Sequence, residues 1–196
     1  MLDLQSPADQ IALLVSAVTD DQLGAPTPCP GTPVAQLLGH VLGLSIAFRD
    51  AARKVEGPTT STAPDASRSE LPPEWRDLIP RRLAELVEAW RDPDAWRGET
   101  MAGGVTMPAE VMGEVANNEL VLHGWDLAVA TGQPFTTSPD NLQASWEMVS
   151  NTPDEPEARA GLFGPVLPVA DDAPLVDRTL AHAGRDPHWA VASSAH

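Results

Sequence analysis

The sequence predicts an all-α fold, a four-helix bundle with a short C-terminal appendage laid against it. Three observations carry that prediction. Apolar residues recur at helical spacing in four long stretches. Ser-Pro and Thr-Pro pairs stand where helices should begin, because proline at the first helical position lacks an N–H that the helix could not have used. No run of useful length alternates with the two-residue period of a half-buried strand, and no internal repeat is present.

The first helix is predicted in "SPADQIALLVSAVT", capped by Ser6 and started by Pro7, with Ile11, Leu14, Val15 and Val18 on one face. Thr32 and Pro33 open a second in "TPVAQLLGHVLGLSIAFRDAARK", where Val34, Leu37, Leu38, Val41, Leu44 and Phe48 form the stripe. Between Gly57 and Leu71, "GPTTSTAPDASRSEL" has no apolar period and reads as a long mobile connection. "PEWRDLIPRRLAELVEAWRD" supplies a third helix through Leu83, Leu86, Val87 and Trp90, which Pro80 should kink or begin. "PDAWRGETMAGGVTM" is a glycine-interrupted connection with room for a short extended piece. Pro108 then opens a fourth helix, running to about Thr131 with Gly132 as its stop signal. "SPDNLQASWEMVS" gives a shorter fifth helix and "APLVDRTLAHAGRD" a last one. Residues 1–150 are expected to form the bundle, and 151–196 a loop-rich C-terminal extension packed on it.

Charge and cysteine content narrow the partners. With 28 acidic against 12 basic side chains the 196-residue chain carries a net charge of −16, which repels nucleic acid and anionic membrane surfaces. Cys29 is the one cysteine, so neither an internal disulfide nor a cysteine-rich zinc site can form, which suits a reducing cytoplasm. The opening "MLDLQSPADQ" has acids in place of a basic leader, and no apolar run approaches the roughly 18 residues of a membrane span. A soluble, unexported, cytoplasmic protein is expected, and a homodimer is one assembly this reading allows.

The polar residues that need explaining are in "NNELVLHGWDLAVATGQ". Glu119 and His123 are one helical turn apart and share a face. Steps of three and four along the helix reach Met112, Val115, Ala116, Leu127 and Ala130, so the pair interrupts the apolar stripe. Glu110, in the opening turn, instead suits the helix dipole. A buried carboxylate or imidazole is costly without partners. A surface Glu–His pair or a self-contained buried hydrogen bond would each account for the two residues alone. His40 adds a third: it lies in the row of Leu37, Leu44 and Ala47 on the second helix, facing the same bundle interior. Two imidazoles and a carboxylate from facing helices suit zinc, nickel or iron(II) and leave coordination positions open. Asp126, three residues beyond His123, is placed to accept a hydrogen bond from a ligand histidine, an exposed acid being the alternative. Trp125 reads as a core or interface anchor. His182, His188 and His196 fall in the C-terminal segment with solvent as the default surrounding. Cys29, between prolines, reads as a packed thiol without an adjacent base in the sequence.

Three blocks, "TPCPGTPVAQLLGHV", "VLHGWDLAVATGQP" and "FGPVLPVADDAPLVDRTLAHAGRDP", resemble the actinobacterial DinB-like proteins related to the N-terminal domain of mycothiol-dependent maleylpyruvate isomerase. The resemblance runs from about Pro28 to Pro187 and implies a four-helix bundle. It also implies a divalent metal, commonly zinc, on His40, Glu119 and His123, and mycothiol as a thiol cofactor that the metal activates. Thr32 stands where relatives usually carry a tryptophan, and this chain is expected to lack the isomerase's further C-terminal domain. The implied activity is therefore a metal- and mycothiol-dependent transferase or isomerase acting on a small electrophile, not maleylpyruvate isomerisation itself. The alternatives are a non-catalytic, metal-stabilised interaction module and a metal-dependent hydrolase.

Overall fold

The computed structural model describes residues 1–64 and 71–191. Four long helices form the core: α1 (Gln5–Ala17), α2 (Val34–Ala52), α4 (Trp75–Trp90) and α5 (Ala109–Ala130), with the one-turn α3 (Pro58–Ser61) between α2 and α4. α1 and α2 each pack on both α4 and α5, so α1 and α2 sit diagonally across the bundle and the first connection crosses it. Ile11, Leu14, Leu37, Leu38, Ile79, Leu83, Leu86, Met112 and Leu127, each fully buried, fill the interior between them. No described helix is long and apolar enough to cross a membrane.

Two of the expected caps act differently. α1 begins at Gln5, before Ser6, and no side chain caps it. Ser6 Oγ instead accepts the N–H of Ser138, 2.9 Å away, tying α1 to the start of a later helix. α2 begins at Val34 with Pro33 in the cap position. Its first N–H groups are satisfied by backbone: Val34 donates to Ala25 O and Ala35 to Leu23 O. Pro80 neither starts nor ends α4, which runs through it from Trp75. Gly132 does stop α5: it takes φ +68°, and Gln133 N–H bonds Ala128 O at 2.8 Å across the turn.

The glycine-interrupted connection is a hairpin, more than the short extended piece that its sequence leaves room for. β1 (Glu99–Ala102) pairs antiparallel with β2 (Val105–Pro108), with Ala102 opposite Val105. The two-residue turn is Gly103-Gly104, at φ +60° and +79°, the left-handed pair that a tight hairpin requires. The expected mobile loop is also partly built. α3 packs against α2 and β1, and Thr59 Oγ1 donates to Asp50 Oδ2 at 2.8 Å. One helical turn is too short to show a period; residues 65–70 of that expectation lie outside the described residues.

Beyond the bundle come α6 (Pro139–Asn151), α7 (Pro156–Arg159) and α8 (Leu175–His182). Ser138 caps α6 by accepting Asn141 N–H, as its Ser-Pro start predicts. α6 packs on α5 and α8 on α6. Trp125 and Leu122 of α5, Val149 of α6, and Leu180 and Ala183 at α8 bury together as a second apolar cluster. This places the end of α8 against the part of α5 that carries His123 and Asp126.

Candidate metal centre

α2 and α5 are neighbours in the bundle, which brings His40 onto His123. The two rings meet edge to face with centroids 5.0 Å apart. One turn earlier on α5, Glu119 Oε2 lies 3.0 Å from His123 Nε2. Donor atoms of His40, Glu119 and His123 all lie within 4.8 Å of one another. The His123 side chain is 11% exposed and that of Glu119 26%.

Behind His123, on its far nitrogen, is Asp126. Its side chain is fully buried, and its Oδ2 lies 3.0 Å from His123 Nδ1. With Nδ1 donating to that carboxylate, Nε2 is the nitrogen that faces Glu119 and His40, the orientation a ligand histidine needs. Asp126 is itself gripped by Arg185, whose Nε and Nη2 donate to its two oxygens, each at 2.9 Å. The thiol of Cys29 donates to Oδ2 at 3.1 Å. A buried carboxylate thus meets an imidazole, a guanidinium and a thiol drawn from three separate parts of the chain.

These partners set the charges. Burial alone would raise the Asp126 pKa, but the Arg185 charge and the bonds from His123 and Arg185 outweigh it and hold the group far below the usual carboxylate range. Burial disfavours the His123 imidazolium, yet its bonds to Asp126, Cys29 and Glu119 together push its pKa well above the ordinary histidine value. Glu119 is held below its usual value: burial opposes this, and the His123 bond with the positive charges of His123, His40 and Arg185 prevails. Charge therefore alternates from Glu119 through His123 and Asp126 to Arg185.

A second donor group, Cys29, His123 and Asp126, also has ligand atoms within 4.8 Å of one another. Arg185 already places a cation against both oxygens of that Asp126, so an added metal ion there would meet like charge. Among the described residues no arginine or lysine is paired with Glu119, and the ring nitrogens of His40 and His123 with the Glu119 carboxylate oxygens match a divalent first-row metal.

Neither of the other described histidines joins the cluster. His188 is exposed and reaches none of these groups; Arg185, three residues earlier, enters instead. His182 is not left to solvent: it packs on Trp146 with ring centroids 4.9 Å apart. His196 lies outside the described residues. Cys29 has no base in its own sequence neighbourhood, and in the fold its thiol meets Asp126 of α5. Its loop is built to present it: Thr27 Oγ1 donates to Thr32 O at 2.7 Å and accepts the Cys29 N–H at 3.1 Å. Arg185 has one local signal in the sequence, Gly184 before it at the end of a predicted helix.

The sequence profile described as "Mycothiol maleylpyruvate isomerase N-terminal domain" matches residues 4–128. The chain belongs to that family. His40, Glu119, His123 and Asp126 all lie within the matched part, and Arg185 lies beyond it. Two uncharacterized proteins of Mycobacterium tuberculosis are relatives, each 30% identical. One aligns over 192 residues, 92% of this chain and 94% of its own length; the other over 151 residues, 66% of this chain and 55% of its own. Among solved structures, a histidine-to-alanine mutant of the mycothiol-dependent maleylpyruvate isomerase superposes with a TM-score of 0.58 at 20% identity, covering 78% of this chain and 73% of that one. Another structure of that isomerase gives 0.55 at 21%, covering 73% and 65%. The bundle is thus the DinB-like fold that the maleylpyruvate isomerase N-terminal domain family shares.

Proposed function

We propose that this family member holds a divalent metal, zinc first among the candidates, on His40, Glu119 and His123, and uses it to activate mycothiol, or a thiol like it, toward a small electrophile. The observation that carries the reading is the convergence of those three donor sets from α2 and α5 within 4.8 Å, with Asp126 behind His123. Membership of a family whose profile and solved relatives are named for mycothiol supports the choice of thiol. A divalent cation in such a set lowers the pKa of a coordinated thiol, so that it serves as a nucleophile near neutral pH.

The protein's own residues do the rest. His123 and His40 present ring nitrogens, and Glu119 offsets part of the cation's charge. Asp126 fixes the His123 ring and its tautomer, and Arg185 keeps Asp126 ionised although it is wholly buried. Glu119 is the more exposed of the two α5 donors, so a thiol and its electrophile would approach from its side.

Elemental analysis of metal-replete protein, followed by calorimetric titration with mycothiol, tests this. Stoichiometric zinc is expected, with thiol binding lost in His123→Ala. Zinc at a hundred times its dissociation constant should also stabilise the wild type by about 2.7 kcal/mol in thermal denaturation and leave His123→Ala unmoved. Absence of stoichiometric metal, or thiol affinity unchanged by His123→Ala, would sink the proposal.

A further inference from the structure

Arg185 reaches the site because of how α8 ends. Ala183 closes the helix and Gly184 follows at φ +79°; Gly184 N–H returns to Ala181 O at 3.0 Å and Arg185 N–H to Leu180 O at 2.9 Å. This pair of bonds is the Schellman ending, which fixes the direction of the next residue. Arg185 is that residue, and its guanidinium turns back onto Asp126.

The turn is held from outside the helix. Gly164 presses on Gly184 so closely that a Cβ on Gly184 would lie 2.5 Å from Gly164 Cα. One side chain ties the two partners of that contact together. Arg159, 2% exposed at the end of α7, donates from Nε to Gly164 O at 2.7 Å and from Nη2 to His182 O, a carbonyl in the last turn of α8. Its nearest carboxylate oxygen among the ion pairs, Asp154 Oδ1, is 3.9 Å away on a mostly exposed side chain. The buried cation is therefore spent on main-chain carbonyls, and its charge at the C-terminal end of α8 complements the helix dipole.

We propose that Arg159 is a positioning residue for the site. By fastening Gly164 to the end of α8 it sets the turn that aims Arg185 at Asp126, and through Asp126 the orientation of the His123 ring. The placement of Arg185 is independent of any metal; its bearing on function rests on the reading above.

The test reads Arg185 directly, in metal-free full-length protein, through the NMR signal of its Nε–H group, assigned by its absence from Arg185→Lys. In the wild type this N–H, bonded to buried Asp126, should exchange slowly with solvent. Arg159→Gln should speed that exchange about tenfold or more while backbone amides of α2 and α5 keep their rates. Arg159→Lys, which keeps the charge and can bond one carbonyl, should fall between. Gly164→Ala leaves Arg159 in place but puts a Cβ 3.3 Å from Gly184 Cα; it should loosen Arg185 in the same way, and it carries the test if Arg159→Gln does not fold. Exchange at Arg185 within about twofold of wild type in a folded variant would overturn the proposal, as would equal loosening of every amide in the bundle. Failure of zinc to bind would count against the proposed function and leave this measurement standing.

Discussion

Replacing Asp126 with asparagine removes one charge from the centre of the site and leaves the Arg185 guanidinium, 12% exposed, facing an amide. In the native protein both Asp126 oxygens accept from Arg185 at 2.9 Å, and one also meets Cys29 and His123. Breaking a buried pair on one side typically costs about 3–5 kcal/mol, because the remaining charge has lost its counterion but not its desolvation. For a chain of this length that corresponds to a fall of roughly 6–20 °C in midpoint temperature. The assay is thermal denaturation of EDTA-treated protein, followed by circular dichroism, with Arg185→Met and the double variant completing the cycle; the double variant should lose less than the sum of the singles. The pH dependence has a definite sign. The folded pKa of Asp126 is depressed, so its stabilisation is fully present above the unfolded value of about 3.9 and is lost as pH falls toward the folded one. The gap between wild type and Asp126→Asn should therefore narrow below about pH 4. A loss under about 1 kcal/mol at pH 7 would refute the reasoning, since that is the scale of an exposed pair.

Gly104→Ala should destabilise the protein by at least about 1–2 kcal/mol, the cost of a left-handed backbone in a residue with a Cβ. That Cβ would also lie 2.8 Å from Ser61 O, and urea denaturation reads the shift in midpoint. Gly113→Ala drives a Cβ to 2.4 Å from the Trp96 ring, which cannot swing aside freely because its Nε1–H bonds Trp90 O at 2.6 Å. The expected cost is about 1–3 kcal/mol, with a change in tryptophan fluorescence. Glu85→Gln tests an acid held below its usual pKa by its bonds to Arg82 and Arg49. Its depressed pKa means the stabilisation disappears as the solution is acidified, so the wild-type advantage, under about 1 kcal/mol at neutral pH, should shrink as the pH falls below about 4.3, the unfolded glutamate value.

What the sequence makes legible is local. Glu119, His123 and Asp126 share one helix, so their common face follows from helical spacing, and His40 is placed by the same rule on α2. The long helices announce themselves through stripes that packing then buries. Features shorter than one period escaped: α3 is a single turn, and the hairpin was signalled only by Gly103-Gly104, a pair that also reads as a plain breaker. Ser6 looked like a cap because Ser-Pro is a common helix start, but its hydroxyl is taken by Ser138, a partner that only the folded chain supplies. Cys29 and Arg185 were illegible for the same reason. They are 97 and 59 residues from Asp126, and nothing in their own neighbourhoods says that they meet there.

That division has a physical consequence for how the site works. Residues 4–128 match the family and contain every candidate donor, but donors alone do not fix a protonation state. A fully buried carboxylate with no cation beside it would bind a proton. Asp126 would then be a weaker acceptor for His123 Nδ1–H, and the imidazole would lose the partner that turns Nε2 toward Glu119 and His40. Arg185 opposes this first and the charged His123 ring with it, and Arg185 is held by the turn at Gly184, the contact with Gly164 and the bonds of Arg159. On the proposed reading α5 carries two of the metal donors, and the segment packed beside it keeps Asp126 ionised and the His123 ring oriented.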